Sequence, residues 1–138
     1  MGVISSINAR RYVDRAMHVA GERQASIAVV VVDPAGTIIA AARTDGTAPI
    51  MVELAQRKAA LSAAIGVPTH VAVKIAAADP VMQAGLLSVR EHLLLPGGMP
   101  VIGPLGVPEG AVGIAGGHYD LDQQIVEATV RTDVAAST

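Results

Sequence analysis

The chain contains no cysteine, no phenylalanine and no tryptophan, and only two tyrosines among its 138 residues. Without cysteine there are no disulfides, no thiol catalysis and no cysteine-based zinc or iron–sulfur sites, so any metal must be held by histidine or carboxylate. With two tyrosines as its only Phe, Tyr or Trp rings the chain has no stacking platform for nucleobases. A formal net charge of −2 and an isoelectric point near 6.0 supply no basic field to gather phosphates. Nucleic acid is therefore not an expected partner. Long apolar runs are missing too: the longest, Ile27 to Val32, falls far short of the roughly 20 residues that span a bilayer. The first 24 residues carry a polar residue every few positions and no signal-peptide core. The expectation is a cytoplasmic protein whose mature chain starts here, with no membrane partner.

Charge is also scarce, at 16% of residues against about 25% in an ordinary soluble domain. Small and aliphatic residues are abundant instead. Apolar residues reach 51% and mean hydropathy is +0.49. A chain of this length forms one domain, residues 1–138, and such a domain buries only about two thirds of its unfolded surface. The apolar surplus belongs between subunits, so a homo-oligomer, a dimer or larger, is expected.

Hydrophobic spacing gives the element order. Ala9, Val13, Ala16 and Ala20 make one stripe of a helix from Ile7 to about Gly21, with Asn8 as N-cap and Gly21 as stop. Ile27–Asp33 and Thr37–Arg43 flank the turn residues Asp33-Pro34-Ala35-Gly36 and read as a hairpin, its first strand apolar on both faces and hence central. Pro49–Ile65 is an Ala-rich helix stopped by Gly66-Val67-Pro68. Thr69 caps a helix over Val71–Ala78, and a short helical or irregular piece follows Asp79-Pro80. Three short apolar runs, His92–Leu95, Met99–Ile102 and Ala111–Ala115, read as strands. A last helix over Leu121–Thr132 takes Asp120 as N-cap with Gln123 completing a capping box. The order α-β-β-α-α-β-β-β-α, without βαβ alternation, predicts an α+β fold: an antiparallel sheet of about five strands flanked by helices.

Lys58 shares a stripe with Leu54, Leu61 and Ile65 and must face inward or across an interface. It is either a pocket cation that meets a ligand carboxylate or serves as a base with lowered pKa, or a lysine whose ammonium snorkels or pairs structurally. Arg43, Asp45 and Gly46 end the hairpin, where they can line a site or close the turn by an Arg–Asp ion pair. Gly116-Gly117-His118 leads from a strand into the last helix, where free backbone N–H groups can hold a carboxylate with His118 beside it; a plain structural turn reads the same way. Pro96-Gly97-Gly98 admits the same two readings. His18, His70, His92 and His118 show no metal-ligand spacing, and no serine triad, Walker loop or dinucleotide fingerprint is present, so neither zinc nor a nucleotide cofactor is indicated.

Val32-Asp33-Pro34-Ala35-Gly36, Arg43-Thr44-Asp45-Gly46, Ala55-Gln56-Arg57-Lys58-Ala59-Ala60, Pro96-Gly97-Gly98-Met99-Pro100 and Val112-Gly113-Ile114-Ala115-Gly116-Gly117 occur in one order. In that order the chain, from about Ile7 to Val130, resembles the GlcG/HbpS-like haem-binding family, which also supplies the C-terminal domain of PduO-type corrinoid adenosyltransferases. The resemblance implies a profilin-like layer fold and an oligomer, often an octamer, that binds haem or a similar flat ligand. It marks Arg43, Asp45, Lys58 and the pairs Gly97-Gly98 and Gly116-Gly117 as family positions. It also implies a first-helix histidine on iron, for which His18 is the nearest residue. Ile114-Ala115 stands where the family usually has Val-Ser, removing a hydroxyl.

Three functions follow. The first is a haem-binding oligomer with His18 on iron and Lys58 or Arg43 at the propionates. The second is a small enzyme of carboxylate or aromatic catabolism, of lyase, isomerase or hydrolase type. There Lys58, Arg43 and the Gly116-Gly117 turn clamp a carboxylate while His118 or Asp45 moves a proton. The third is an accessory subunit without chemistry.

Overall fold

The computed structural model describes residues 2–131. Five helices and four strands follow in the order α1 (Ser6–Glu22), β1 (Ala28–Val32), β2 (Ile38–Arg43), α2 (Ile50–Ile65), α3 (Thr69–Ala78), α4 (Pro80–Leu87), β3 (Gly98–Ile102), β4 (Pro108–Ala115) and α5 (Tyr119–Arg131). The sheet is antiparallel throughout, in the order β2-β1-β4-β3. The expected α+β architecture is present, and β1 is interior as its unbroken apolar run requires. The described residues form four strands rather than about five. His92–Leu95 is not a strand: Leu93 donates its N–H to the Arg57 carbonyl (3.2 Å), so this segment lies along α2 and never reaches the sheet.

Side-chain alternation splits the core into two layers. Val29 and Val31 of β1, with Ile27, Val112 and Ile114, pack against α1 and α5 through Tyr12, Ala16, Val19, Ile125 and Val126. Ala28, Val30 and Val32, with Ala111 and Ala115, face α2 through Ala55, Ala59 and Ala63. Small residues on both sides bring α2 close to the sheet. Gly113 marks the tightest point, since a Cβ there would collide with the Ala55 carbonyl oxygen.

Several helix ends differ from their expected places. Ser5, not Asn8, caps α1, its Oγ accepting the Asn8 N–H at 3.1 Å. Gly21 does not stop α1. The helix runs to Glu22, and Gln24 takes the left-handed conformation with φ 53°. The amides of Gln24 and Ala25 return to the carbonyls of Gly21 and Ala20, the paired bonds of a Schellman stop. Thr69 lies inside α3, after Pro68, and its hydroxyl is used elsewhere. Asp79 caps α4 by accepting from Val81 and Met82. The last helix begins at Tyr119, two residues early, with the Asp120 N–H donated to His118 Nδ1 (3.2 Å). Asp120 is therefore inside the helix and Gln123 forms no capping box. Thr132, the last residue expected in this helix, lies outside the described residues.

The antiparallel pairings bring four connections to one end of the sheet: the residues before Ala28, those after Arg43, those before Gly98 and those after Ala115. Four of the five sequence motifs converge there or reach it from α2.

Glycine thus stands three residues upstream of where α1 needs it. Gly21→Ala, with nothing within 4 Å of the new Cβ, should raise stability by about 0.5–1 kcal/mol, and Gln24→Gly by roughly 1 kcal/mol by relieving a left-handed L-residue. Urea denaturation of each variant checks both. A destabilised Gly21→Ala would mean that α1 ends where the sequence spacing had placed its stop.

Candidate functional site

At this end of the sheet the chain assembles a buried polar network. Lys58 points inward from α2 and is only 3% exposed. Its Nζ donates to the Ile114 carbonyl oxygen (2.9 Å) and to Asp122 Oδ2 (3.1 Å). Asp122, on the first turn of α5, is 2% exposed, and its Oδ1 accepts the Gly117 N–H at 3.0 Å. Since α2 and α5 cover opposite faces of the sheet, this ion pair joins the two layers around the sheet's end. Burial pushes the Lys58 pKa below its ordinary value of 10.5, and the adjacent Asp122 carboxylate only partly offsets that desolvation.

The glycine pair before β3 closes the same network. Gly97 gives its N–H to Gln123 Oε1 (2.7 Å) and Gly98 gives its N–H to Thr69 Oγ1 (2.8 Å). A Cβ at Gly97, where φ is 128°, would come within 2.9 Å of Lys58 Nζ, and one at Gly98 would fall 2.5 Å from the Lys58 carbonyl oxygen. Gln123 passes its amide to Glu127 (3.3 Å), which lies 3.7 Å from His70 at the rim.

These contacts decide between the readings of Lys58 and the two glycine turns. The lysine is beside both turns, as expected, yet its partner is the chain's own carboxylate. The N–H groups of Gly97, Gly98 and Gly117 that could have held a ligand are taken by Gln123, Thr69 and Asp122. Lys58 lines none of the cavities of about 310, 440 and 190 Å³. Arg43, at the end of β2, is exposed, while the Lys58 ammonium is enclosed. Asp122, Gln123 and Thr69 were missed by sequence reasoning. For Asp122 the signal was available: Asp122, Ile125, Val126 and Thr129 form one buried helical stripe, the same pattern that singles out Lys58.

Arg43, Asp45 and Gly46 line a separate surface hollow of about 440 Å³ together with Thr44, Thr47 and Pro49. The loop closes through Arg43 Nη1 on the Thr47 carbonyl (2.7 Å) and not through an Arg43–Asp45 ion pair. Thr44 Oγ1 accepts the Ile27 N–H (2.9 Å), tying the loop to the start of β1. His118 is exposed, stacked 4.0 Å from the Tyr119 ring, with Asp120 Oδ2 at 3.7 Å. His118 follows β4 and Asp45 follows β2, two strands apart in the sheet order. His18 projects from α1 into solvent, 65% exposed, with Glu22 at 3.8 Å. The described residues contain no group of three histidines or carboxylates able to hold a metal ion.

The profile of the family described as haem degrading protein HbpS-like matches residues 4–131. This chain belongs to the HbpS-like family. A double mutant of Streptomyces reticuli HbpS superposes with a TM-score of 0.86 at 28% identity, over 96% of this chain and 88% of that one. The Klebsiella pneumoniae protein ORFY superposes at 0.88 with 22% identity, over 100% and 94% of the two chains. PduOC, crystallised with haem, superposes at 0.82 with 22% identity over 94% of each. At that identity the last two speak for the fold alone. No curated protein matches the chain.

Lys58→Met leaves the Asp122 carboxylate buried and unpaired and should cost about 3–5 kcal/mol, whereas Lys58→Met with Asp122→Leu should recover most of that loss. Thermal or urea unfolding measures both. The proton linkage has a definite sign. With its pKa lowered in the folded state, Lys58 sheds its proton before the unfolded chain does. The stability of the native chain relative to the double variant should then be flat below the folded pKa and rise as pH climbs from it toward 10.5. A fall over that alkaline window would contradict the desolvation that burial imposes.

Proposed function

We propose that this chain is a haem-binding protein that works as a homo-oligomer, with His18 as the iron ligand. The observation that carries the reading is family membership over residues 4–131, joined to 28% identity with HbpS over 96% of the chain. The residues present fit haem in part. An accessible imidazole on α1 suits an axial donor. Arg43 keeps guanidinium donors for propionates beyond the one spent on Thr47. Lys58 does not suit a propionate, because it is enclosed and bound to Asp122. Haem when bound supplies the iron chemistry; the chain supplies the imidazole, the guanidinium and apolar cover.

That cover ties ligand binding to assembly. His18 is 65% exposed and lines none of the cavities of about 310, 440 and 190 Å³, so burying a flat macrocycle on this histidine calls for a second copy over its other face. The surface supports such assembly. No residue of α4 is buried and none is charged, with Val81 83% and Leu87 65% exposed. Beside it Ile65, Val67, Ala72, Ile75, Met82 and Leu86 line an apolar hollow of about 190 Å³. A helix whose only polar side chain is Gln83 and which buries nothing within its own chain is covered in the working protein.

Adding haemin to the purified chain should produce a shifted Soret band that is lost in His18→Ala and kept in Asp45→Asn. A band unchanged in His18→Ala would remove the histidine from the iron. Light scattering after size exclusion should show more than one copy in the wild type and a smaller species in Val81→Glu/Leu87→Glu. A monomeric wild type would overturn the assembly.

A further inference from the structure

A second polar cavity, of about 310 Å³, lies on the flank of α2 against the β1–β2 turn and the segment after α4. Its charged and polar wall is Glu53, Gln56, Arg57, Arg90, Glu91 and His92. Their commitments are unequal. Arg57 is paired with Glu53 at 2.8 Å, and Gln56 donates its amide to the Gly36 carbonyl at 3.2 Å, leaving its Oε1 to accept. Arg90 and Glu91 form no hydrogen bond or ion pair with the described residues. His92 Nδ1 is closed off from solvent with no hydrogen-bond partner. That nitrogen faces the protein, so the imidazole contributes wall and not a free polar atom to the cavity.

The wall is held in place. The Leu93 N–H on the Arg57 carbonyl (3.2 Å) fastens the segment bearing Arg90 and His92 to α2, and the His92 N–H returns to the Val89 carbonyl (3.3 Å). Gly36, with φ 87°, packs so close to Ala60 that a Cβ there would lie 3.0 Å from the Ala60 Cβ, which fixes the turn that forms the far side. The volume lies at the low end of small-molecule pockets, roughly 300–1,000 Å³, which suits a molecule of a few carbons and not a porphyrin.

The free groups define what such a molecule carries. The Arg90 guanidinium takes a carboxylate through charge-assisted bonds. Glu53 and Glu91 disfavour a second negative charge and accept from a donor. Gln56 Oε1 offers a further acceptor, its amide nitrogen being held by Gly36. We propose that this cavity binds a small monocarboxylate bearing an adjacent hydroxyl or amino group, with Arg90 holding the carboxylate. The site is separate from His18 and does not depend on haem.

Calorimetric titration of the full chain with lactate, alanine and propionate tests this. Lactate or alanine should bind saturably, and whichever binds distinguishes the hydroxyl from the amino class; propionate, lacking the donor, should bind about tenfold or more weakly. Arg90→Gln should weaken binding by about tenfold or more while leaving the unfolding curve unchanged, because Arg90 makes no contact the fold requires. His18→Ala should leave this binding intact, so a failure here and a failure of the haem reading remain distinct. Absence of saturable binding by both lactate and alanine, undiminished binding in Arg90→Gln, or propionate binding as well as the better of the two would overturn the proposal.

Discussion

The Lys58 ammonium and the Asp122 carboxylate lie 3.1 Å apart, both almost wholly enclosed, and the local architecture follows from keeping them so. Each charge alone inside the protein would be severely unfavourable, and together they are tolerated only when their remaining hydrogen-bonding capacity is met. The Ile114 carbonyl and the Gly117 N–H meet part of it. That requirement fixes where α5 starts. Its first turn must bring Asp122 to Gly117, so the helix opens at Tyr119 and leaves Asp120 in its exposed first turn. Such a pair adds little net stability, but it ties the two helical layers to one register at the sheet's end.

Glycine at 97, 98 and 113 belongs to the same constraint. Gly113 lets α2 sit on the sheet, which places Lys58 within reach of Ile114. Gly97 and Gly98 then pass beside the lysine with no room for a Cβ, and their amides are taken by Gln123 and Thr69. Removing any of these glycines would push on the lysine's own backbone or side chain, or on the carbonyl of Ala55. Close packing by small residues also explains why a chain with so few aromatic rings has a dense interior: alanine against valine and glycine substitutes proximity for bulk.

The layered fold was legible because β1 and α2 have strong periodic signals: six apolar residues in a row, and an alanine-rich run ended by Gly66. Lys58 was legible as inward-facing for the same reason. What it faces was not, since its partner lies 64 residues away, and Asp122 stands on α5 at a position where acidic residues commonly serve a helix start. Two local rules misled for one physical cause. Gly21 and Asp120 look like helix ends because of their residue types, while the real ends are set by where Ala20 and His118 can return hydrogen bonds. The run at His92–Leu95 had the composition of a strand; its amide at Leu93 found Arg57 instead. The cavity on α2 was invisible because Glu53, Arg57 and Arg90 come together only through the fold.

A polar network that satisfies itself has a consequence for function. Had the amides of Gly97, Gly98 and Gly117 been free, they would have formed an anion site at the heart of the domain. The side chains of Gln123, Thr69 and Asp122 fill those positions. The groups that the fold leaves open to solvent stand on the outside instead: the imidazole of His18, Asp45 in its hollow, and Arg90 on the flank of α2. On the outside of a small domain an apolar ligand is buried only by a further surface laid over it, and α4, with no buried and no charged residue, is an apolar surface left open. The buried pair therefore does more than join two layers. With Gln123 and Thr69 it consumes the amides of Gly97, Gly98 and Gly117, and so leaves that end of the sheet without a free N–H for an anion at those positions.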